Sequence, residues 1–139
     1  MAMNPTIANV ASASVLALGA SGYVGAHLVP RLLQEGRRVR AAARWLEALR
    51  REGWRDAELG SVDVRGPESL RLAMRGVQEV YFLVHLMGYG RDLRELERHA
   101  AQHVADVAAA CGVRRIVYLG ALAPPDPHSE HILARHETG

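Results

Sequence analysis

The chain has 139 residues, enough for one domain with a modest core, and its hydrophobic content of 49% is ordinary for a globular protein. Seventeen basic residues are scattered among fifteen acids, leaving a net charge of +2, which reads as a solvated surface and argues against a nucleic-acid partner. All seventeen are arginine, so chemistry that needs a lysine ammonium is excluded, and the single Cys111 excludes an intrachain disulfide.

Met1 to Ser14 is small, polar and aperiodic, and is expected to be a loose tail. It has no basic stretch followed by an apolar core, so no secretory signal is expected. No apolar run reaches the ~18–20 residues that span a membrane. With the lone cysteine, these features suit a reducing, cytoplasmic compartment and no membrane partner. Val15–Leu18 reads as a first strand and Tyr23–Gln34 as a helix, with Val24, Leu28, Leu32 and Leu33 on its apolar face. Pro30 falls inside that helix and should kink it, and Gly36 should stop it. Arg38–Ala43 is strand two, and Trp45–Gly53 a short helical stretch with Leu46 and Leu49 inward. Trp45 and Trp54 are expected to pack that stretch against strands two and three. Ala57–Val62 is strand three. Pro67–Met74 is a helix, with proline in its first turn and Leu70 and Met74 toward the core. Val77–Leu86 is strand four, the most β-prone run. Asp92–Cys111 is the longest helix, with Leu93, Leu96, Ala100, Val104, Val107, Ala108 and Cys111 along one side, capped by Gly112. Arg115–Leu119 is strand five. Three prolines make Ala123–His128 a loop, and Glu130–Glu137 begins another helix.

Between the first strand and first helix lies Gly19-Ala20-Ser21-Gly22-Tyr23-Val24-Gly25. Glycines at this spacing permit a sharp reversal, a close backbone approach to a ligand, and tight packing of helix on strand. The helix start then offers free N–H groups and the positive end of its dipole, which favours a phosphate. In this strand–turn–helix context the motif points to a dinucleotide site; the bland alternative is a purely structural turn. Strands alternating with helices predict an α/β fold with a parallel sheet, right-handed crossovers and strand order 3-2-1-4-5. The ligand should sit where strands one and four diverge, over Gly19–Gly25.

Four motifs together resemble a family: the glycine turn; Ser61-Val62-Asp63-Val64 with Pro67-Glu68-Ser69-Leu70; Tyr81-Phe82-Leu83-Val84-His85-Leu86-Met87; and Gly112-Val113-Arg114-Arg115-Ile116-Val117-Tyr118-Leu119-Gly120. The chain is similar to the atypical and extended short-chain dehydrogenase/reductase superfamily, in its NmrA-like NAD(P)H-binding branch, from about Val15 to the last residue. The resemblance implies a Rossmann-type doubly wound sheet over residues 15–139, and proteins of this kind are longer, so the chain looks like their N-terminal part, ending before the later strands. It implies pyrophosphate contacts at Gly19, Gly22 and Gly25, within a turn that also includes Ala20, Ser21, Tyr23 and Val24. Arg44 would meet the adenosine ribose. No acid stands there to hold a 2′-hydroxyl, so a 2′-phosphate, and hence NADP over NAD, is favoured; otherwise Arg44 is one more exposed arginine. Asp63 and the Val64 backbone would meet the adenine edge, or Asp63 merely caps the next helix. Leu83, Val84 and His85 would line the adenosine and nicotinamide side, with His85 either bonding within the wall or serving in chemistry. The Asp92–Cys111 helix would lie at a homodimer interface.

The family's Tyr-x-x-x-Lys pair is absent, since the chain has no lysine. Where it would fall stands His131-x-x-x-Arg135, either a substitute acid with a ribose or phosphate contact, or an exposed polar helix start. Tyr118 sits inside strand five and is a poor acid. Glu95, His99 and His103 share a helix face at metal-ligand spacing, but the charged helix favours a solvated face. Cys111 reads as an inert, buried thiol. Two functions follow: an NADP(H)- or NAD(H)-dependent oxidoreductase module, or a nucleotide-holding regulatory or structural module without chemistry.

Overall fold

The computed structural model describes residues 14–86 and 92–120. Its sheet has five parallel strands in the order β3-β2-β1-β4-β5. In chain order the elements are β1 (Ser14–Leu18), α1 (Tyr23–Gln34), β2 (Arg38–Ala43), α2 (Leu46–Arg50), β3 (Glu58–Ser61), α3 (Pro67–Met74), β4 (Glu79–Phe82), α4 (Leu93–Ala110) and β5 (Arg115–Tyr118). This is a Rossmann-like α/β fold, with the expected strand order. The helix expected at Glu130–Glu137, the loop at Ala123–His128 and the His131/Arg135 pair lie outside the described residues, as does the N-terminal stretch to residue 13.

Alternation along β1 divides the core. Val15 and Ala17 point to one face, with Val29 and Leu32 of α1, Leu49 of α2, and Val39, Ala41 and Ala43 of β2. Leu16 and Leu18 point to the other, against Leu70 and Met74 of α3 and Ala100, Val104 and Val107 of α4. Both faces are covered, as a parallel sheet requires. On α1 the inward stripe is Gly25, Val29 and Leu32, with Leu28 and Leu33 at its margins; Val24 is 38% exposed and does not belong to it. Gly25 takes the inward place one turn before Val29, and its lack of a side chain concealed it from a hydrophobicity pattern. The helix runs through Pro30 over its full twelve residues. It ends where the Arg37 N–H bonds back to Leu32 O at 3.0 Å, across Gly36. The C-terminus of α3 is held by Arg40 of β2, which donates to the carbonyls of Ala73 and Arg75 and pairs with Glu58.

β4 is shorter than the apolar run Val77–Leu86. Its last bond to β1 is Leu83 N–H to Leu18 O at 2.9 Å. Beyond that β1 turns away at Gly19, and among the described residues no strand lies beside Leu83–Leu86 on that flank.

The opposite end of the sheet carries a charge cluster. Glu79 of β4 stands directly across from Arg115 of β5, whose guanidinium donates to Oε2 at 2.7 Å; Arg37 approaches the same oxygen at 3.5 Å. Burial pushes the Glu79 carboxyl up, but the Arg115 hydrogen bond, the Tyr81 hydroxyl and the Arg37 charge outweigh it and hold it below its ordinary 4.5. A carboxyl depressed in the folded state stabilises above its unfolded value and loses that contribution as pH falls through the folded value. Urea midpoints between about pH 6 and pH 3 should therefore fall more steeply for the native chain than for Glu79→Gln. Parallel curves for the two proteins would show that the cluster carries no such linkage.

Candidate functional site

The site grows from the end of β1. After Leu18 the chain reverses at Gly19, whose φ of +89° suits a residue without Cβ. The N–H groups of Gly19 and Ala20 both donate to Ala42 O, at 2.9 and 3.0 Å, pinning the turn to β2. Gly22 is the residue before α1, and the Ala26 N–H returns to its carbonyl at 3.0 Å. No side chain caps this helix start and its first turn holds no acid. The N–H groups and positive dipole end there suit a phosphate-bearing ligand. The three glycines differ in their physical tasks. A Cβ on Gly19 would stand 2.9–3.1 Å from Leu83 and Val84, one on Gly25 would overlap the Ala20 backbone at 2.3–2.6 Å, and one on Gly22 would have only Gly19 O near it, at 3.7 Å. Thus Gly19 admits the stretch that follows β4, Gly25 admits α1, and Gly22 leaves open space.

A cavity of about 380 Å³ opens over this turn, at the carboxyl ends of the strands. The turn contributes Gly19, Ser21 and Gly22 to its lining; the end of β2 contributes Arg44, the end of β3 Asp63 and Val64, and the end of β4 Leu83, Val84 and His85. Four further residues of the turn lie elsewhere. Ala20 is fully buried beneath it, and Gly25 packs on Ala20. Tyr23 is 82% exposed, its ring against His27 at 4.6 Å, and Val24 faces outward.

Arg44 is exposed at the cavity's rim and lies over the Trp45 indole, 5.3 Å from the ring centre. Trp45 also lines the cavity and is 69% exposed, so it does not pack α2 against the sheet; Trp54 does that, among Leu46, Ala57 and Leu59. Trp45 was missed because aromaticity next to a short helix reads as packing. Its signal was its position, directly after the arginine that ends β2. Val62 and Leu86 were missed as lining residues too, since both read as core.

Asp63 is gripped by Arg65, which donates to it from its backbone N–H at 3.0 Å and from its guanidinium at 2.7–3.2 Å. Those bonds, outweighing partial burial and aided by the charges of Arg65 and Arg44, hold its carboxyl below the usual value. Its backbone is clasped by the Ser69 hydroxyl, which accepts from Asp63 N and lies 3.0 Å from Asp63 O. His85 sits in the wall, edge-on to Tyr118 at 6.1 Å. On α4, Glu95 and His99 are 4.0 Å apart at the surface, while His103 turns inward to Val64 O at 3.3 Å. Among the described residues no group of three could hold a metal ion. Cys111 is half-buried against the α4 side of the core. No helix among the described residues is long and apolar enough to cross a membrane.

The chain is similar to sterol demethylase protein B of Methylococcus capsulatus, with 29% identity over 109 residues that make up 76% of this chain and 33% of that protein. It therefore spans about a third of the curated relative it matches. Among solved structures it resembles a short-chain dehydrogenase/reductase superfamily protein from Agrobacterium tumefaciens with bound NAD, at 25% identity and a TM-score of 0.73, covering 90% of this chain and 42% of the other. It also shares its fold with the Citrobacter triphenylmethane reductase complexed with NADP(H), at 24% identity and a TM-score of 0.75, over 89% of this chain and 43% of that one. The family model for NAD(P)H-binding proteins matches residues 19–137, from the first glycine of the turn onward, and the chain belongs to that family.

Proposed function

We propose that residues 15–139 form the NADP(H)-holding domain of an oxidoreductase of the short-chain dehydrogenase/reductase type, with substrate recognition supplied by residues beyond it. The observation that carries the cofactor choice is Arg44, poised at the rim over Trp45, where an NAD site would place an acid. Among the described residues that line the cavity, the only carboxylate is Asp63, engaged by Arg65. A guanidinium in this position matches a ribose 2′-phosphate.

The roles follow from position. Gly19, Ser21 and Gly22 would surround the pyrophosphate at the start of α1, with Ala20, Tyr23, Val24 and Gly25 shaping the same turn. Asp63 and Val64 would meet the adenine edge. Leu83, Val84 and His85 would form the nicotinamide side, where their largely apolar surface excludes water. A nicotinamide held there supplies or accepts a hydride. Of the two solved structures of similar fold, one holds NADP(H) and the other NAD, and on this reading Arg44 would favour NADP(H) here.

Calorimetric titration with NADPH and NADH tests this reading. NADPH should bind more tightly. Arg44→Ala should weaken NADPH by about 10–100-fold, as expected for loss of a hydrogen-bonded charge pair, and leave NADH nearly unchanged. Equal affinities in the native chain, or an equal drop for both nucleotides, would overturn the preference; binding of neither would overturn the site. The absence of lysine favours a second reading, a nucleotide-holding regulatory module without turnover. Consumption of NADPH with any carbonyl substrate separates the two.

A further inference from the structure

α4 buries one acid in the core. Glu97 is 7% exposed, between Leu93 and Ala100 on the inward stripe. Its Oε1 accepts the Leu86 N–H at 2.9 Å, in a buried bond. Its Oε2 is buried as well, and no described residue donates to it. A carboxylate is costly to bury and an apolar residue would pack there more cheaply, so this group asks for a task other than filling space. Leu86 suggests the task. It ends the stretch Leu83–Leu86, which lines the cavity just past the last bond of β4 to β1. On one flank that stretch rests against Gly19, where only a missing Cβ allows the approach. On the other flank Glu97 reaches up from α4, in a small cleft with Phe82, Val84, Leu86 and Tyr118.

We propose that Glu97 is the positioning residue of the cavity's Leu83–Leu86 wall. Its carboxylate supplies, from the helix side, the acceptor that the Leu86 N–H takes. It anchors the His85–Leu86 peptide and so fixes how Val84 and His85 face the cavity. The proposal rests on the reading of the cavity as a dinucleotide site with this wall on its nicotinamide side, and it adds a residue that touches no ligand.

The test uses two ligands and one measurement without ligand. NADPH spans the whole cavity, whereas 2′,5′-ADP occupies only the adenosine half. Glu97→Leu should weaken NADPH by about tenfold, the scale of a slightly misplaced binding wall, and leave 2′,5′-ADP within about twofold. Glu97→Asp, which keeps the acid but shortens its reach, should behave like the leucine variant. Glu97→Gln, which keeps an acceptor for Leu86 N–H, should leave both affinities near the native values. Amide exchange at Leu86 should quicken at least about tenfold in the leucine and aspartate variants while Val80, inside β4, stays slow. Unchanged Leu86 exchange would overturn the proposal, as would a parallel loss of both ligands that follows a lowered unfolding midpoint. Should the native chain bind neither ligand, the nucleotide reading fails, and the exchange measurement alone decides whether Glu97 anchors the wall.

Discussion

Gly25→Ala is expected to be the most damaging single methyl added to this chain. The new Cβ would stand 2.3 Å from Ala20 O, 2.5 Å from its Cα and 2.6 Å from its carbonyl carbon. All three are backbone atoms, and they cannot swing aside as a side chain would. Ala20 is held by its N–H to Ala42 O, so relief requires α1 to lift from the sheet. Lifting α1 withdraws Val29 and Leu32 from Val15, Ala17 and Ala41 across that half of the core. Overpacking usually costs about 1–3 kcal/mol, and a clash with fixed backbone belongs at or above the top of that range. Against a total stability of about 5–15 kcal/mol, this is a large share. The urea midpoint should fall steeply and soluble yield with it. A midpoint within error of the native value would show that the helix and strand do not meet as described.

Gly19→Ala should harm binding and stability together. At φ +89° a residue with Cβ is strained by about 1–3 kcal/mol. Its methyl would also press on Val84 Cγ2 at 2.9 Å and Val84 N at 3.0 Å, pushing the Leu83–Leu86 wall outward from the turn. We expect a stability loss of about 2–4 kcal/mol from strain and contact together, and nucleotide affinity lowered at least about tenfold. Gly22→Ala is the informative contrast. Its φ of −83° is ordinary, and a Cβ there meets only Gly19 O, at 3.7 Å. Stability should change by about 1 kcal/mol or less, since alanine is only a poorer residue than glycine before a helix. Affinity should still drop, because the methyl enters space beside the helix start. Denaturation curves and titrations on the two variants separate a fold glycine from a ligand glycine. Equal stability losses in both would refute the distinction.

The elements were largely legible because each carries its own period. α1, β2 and α3 have the bounds that the residues alone suggested. The β-prone run Val77–Leu86 exceeds β4 because it continues past the point where β1 can pair with it. Val24 matches the helical spacing of an inward residue, but the inward position belongs to Gly25. Glu97 falls on the buried stripe of α4 among apolar residues, but an acid in a charged helix reads as surface. Its burial depends on the Leu86 N–H, eleven residues away.

By itself the sequence determined the alternation of strands and helices, their order in the sheet, and the glycine turn at the head of α1. Those features rest on local periodicity, on the connection rules of alternating strands and helices, and on backbone conformations that few residues adopt. The tertiary structure decided which side chains meet. In a parallel sheet every strand ends on the same side, so Arg44 and Trp45, Val62 to Val64, and Leu83 to Leu86 converge around one cavity. These three stretches are separated along the chain by whole helices, and no local pattern records their distance from one another. Packing also assigned different physical tasks to Gly19, Gly22 and Gly25, because a glycine's task depends on what would meet its absent side chain.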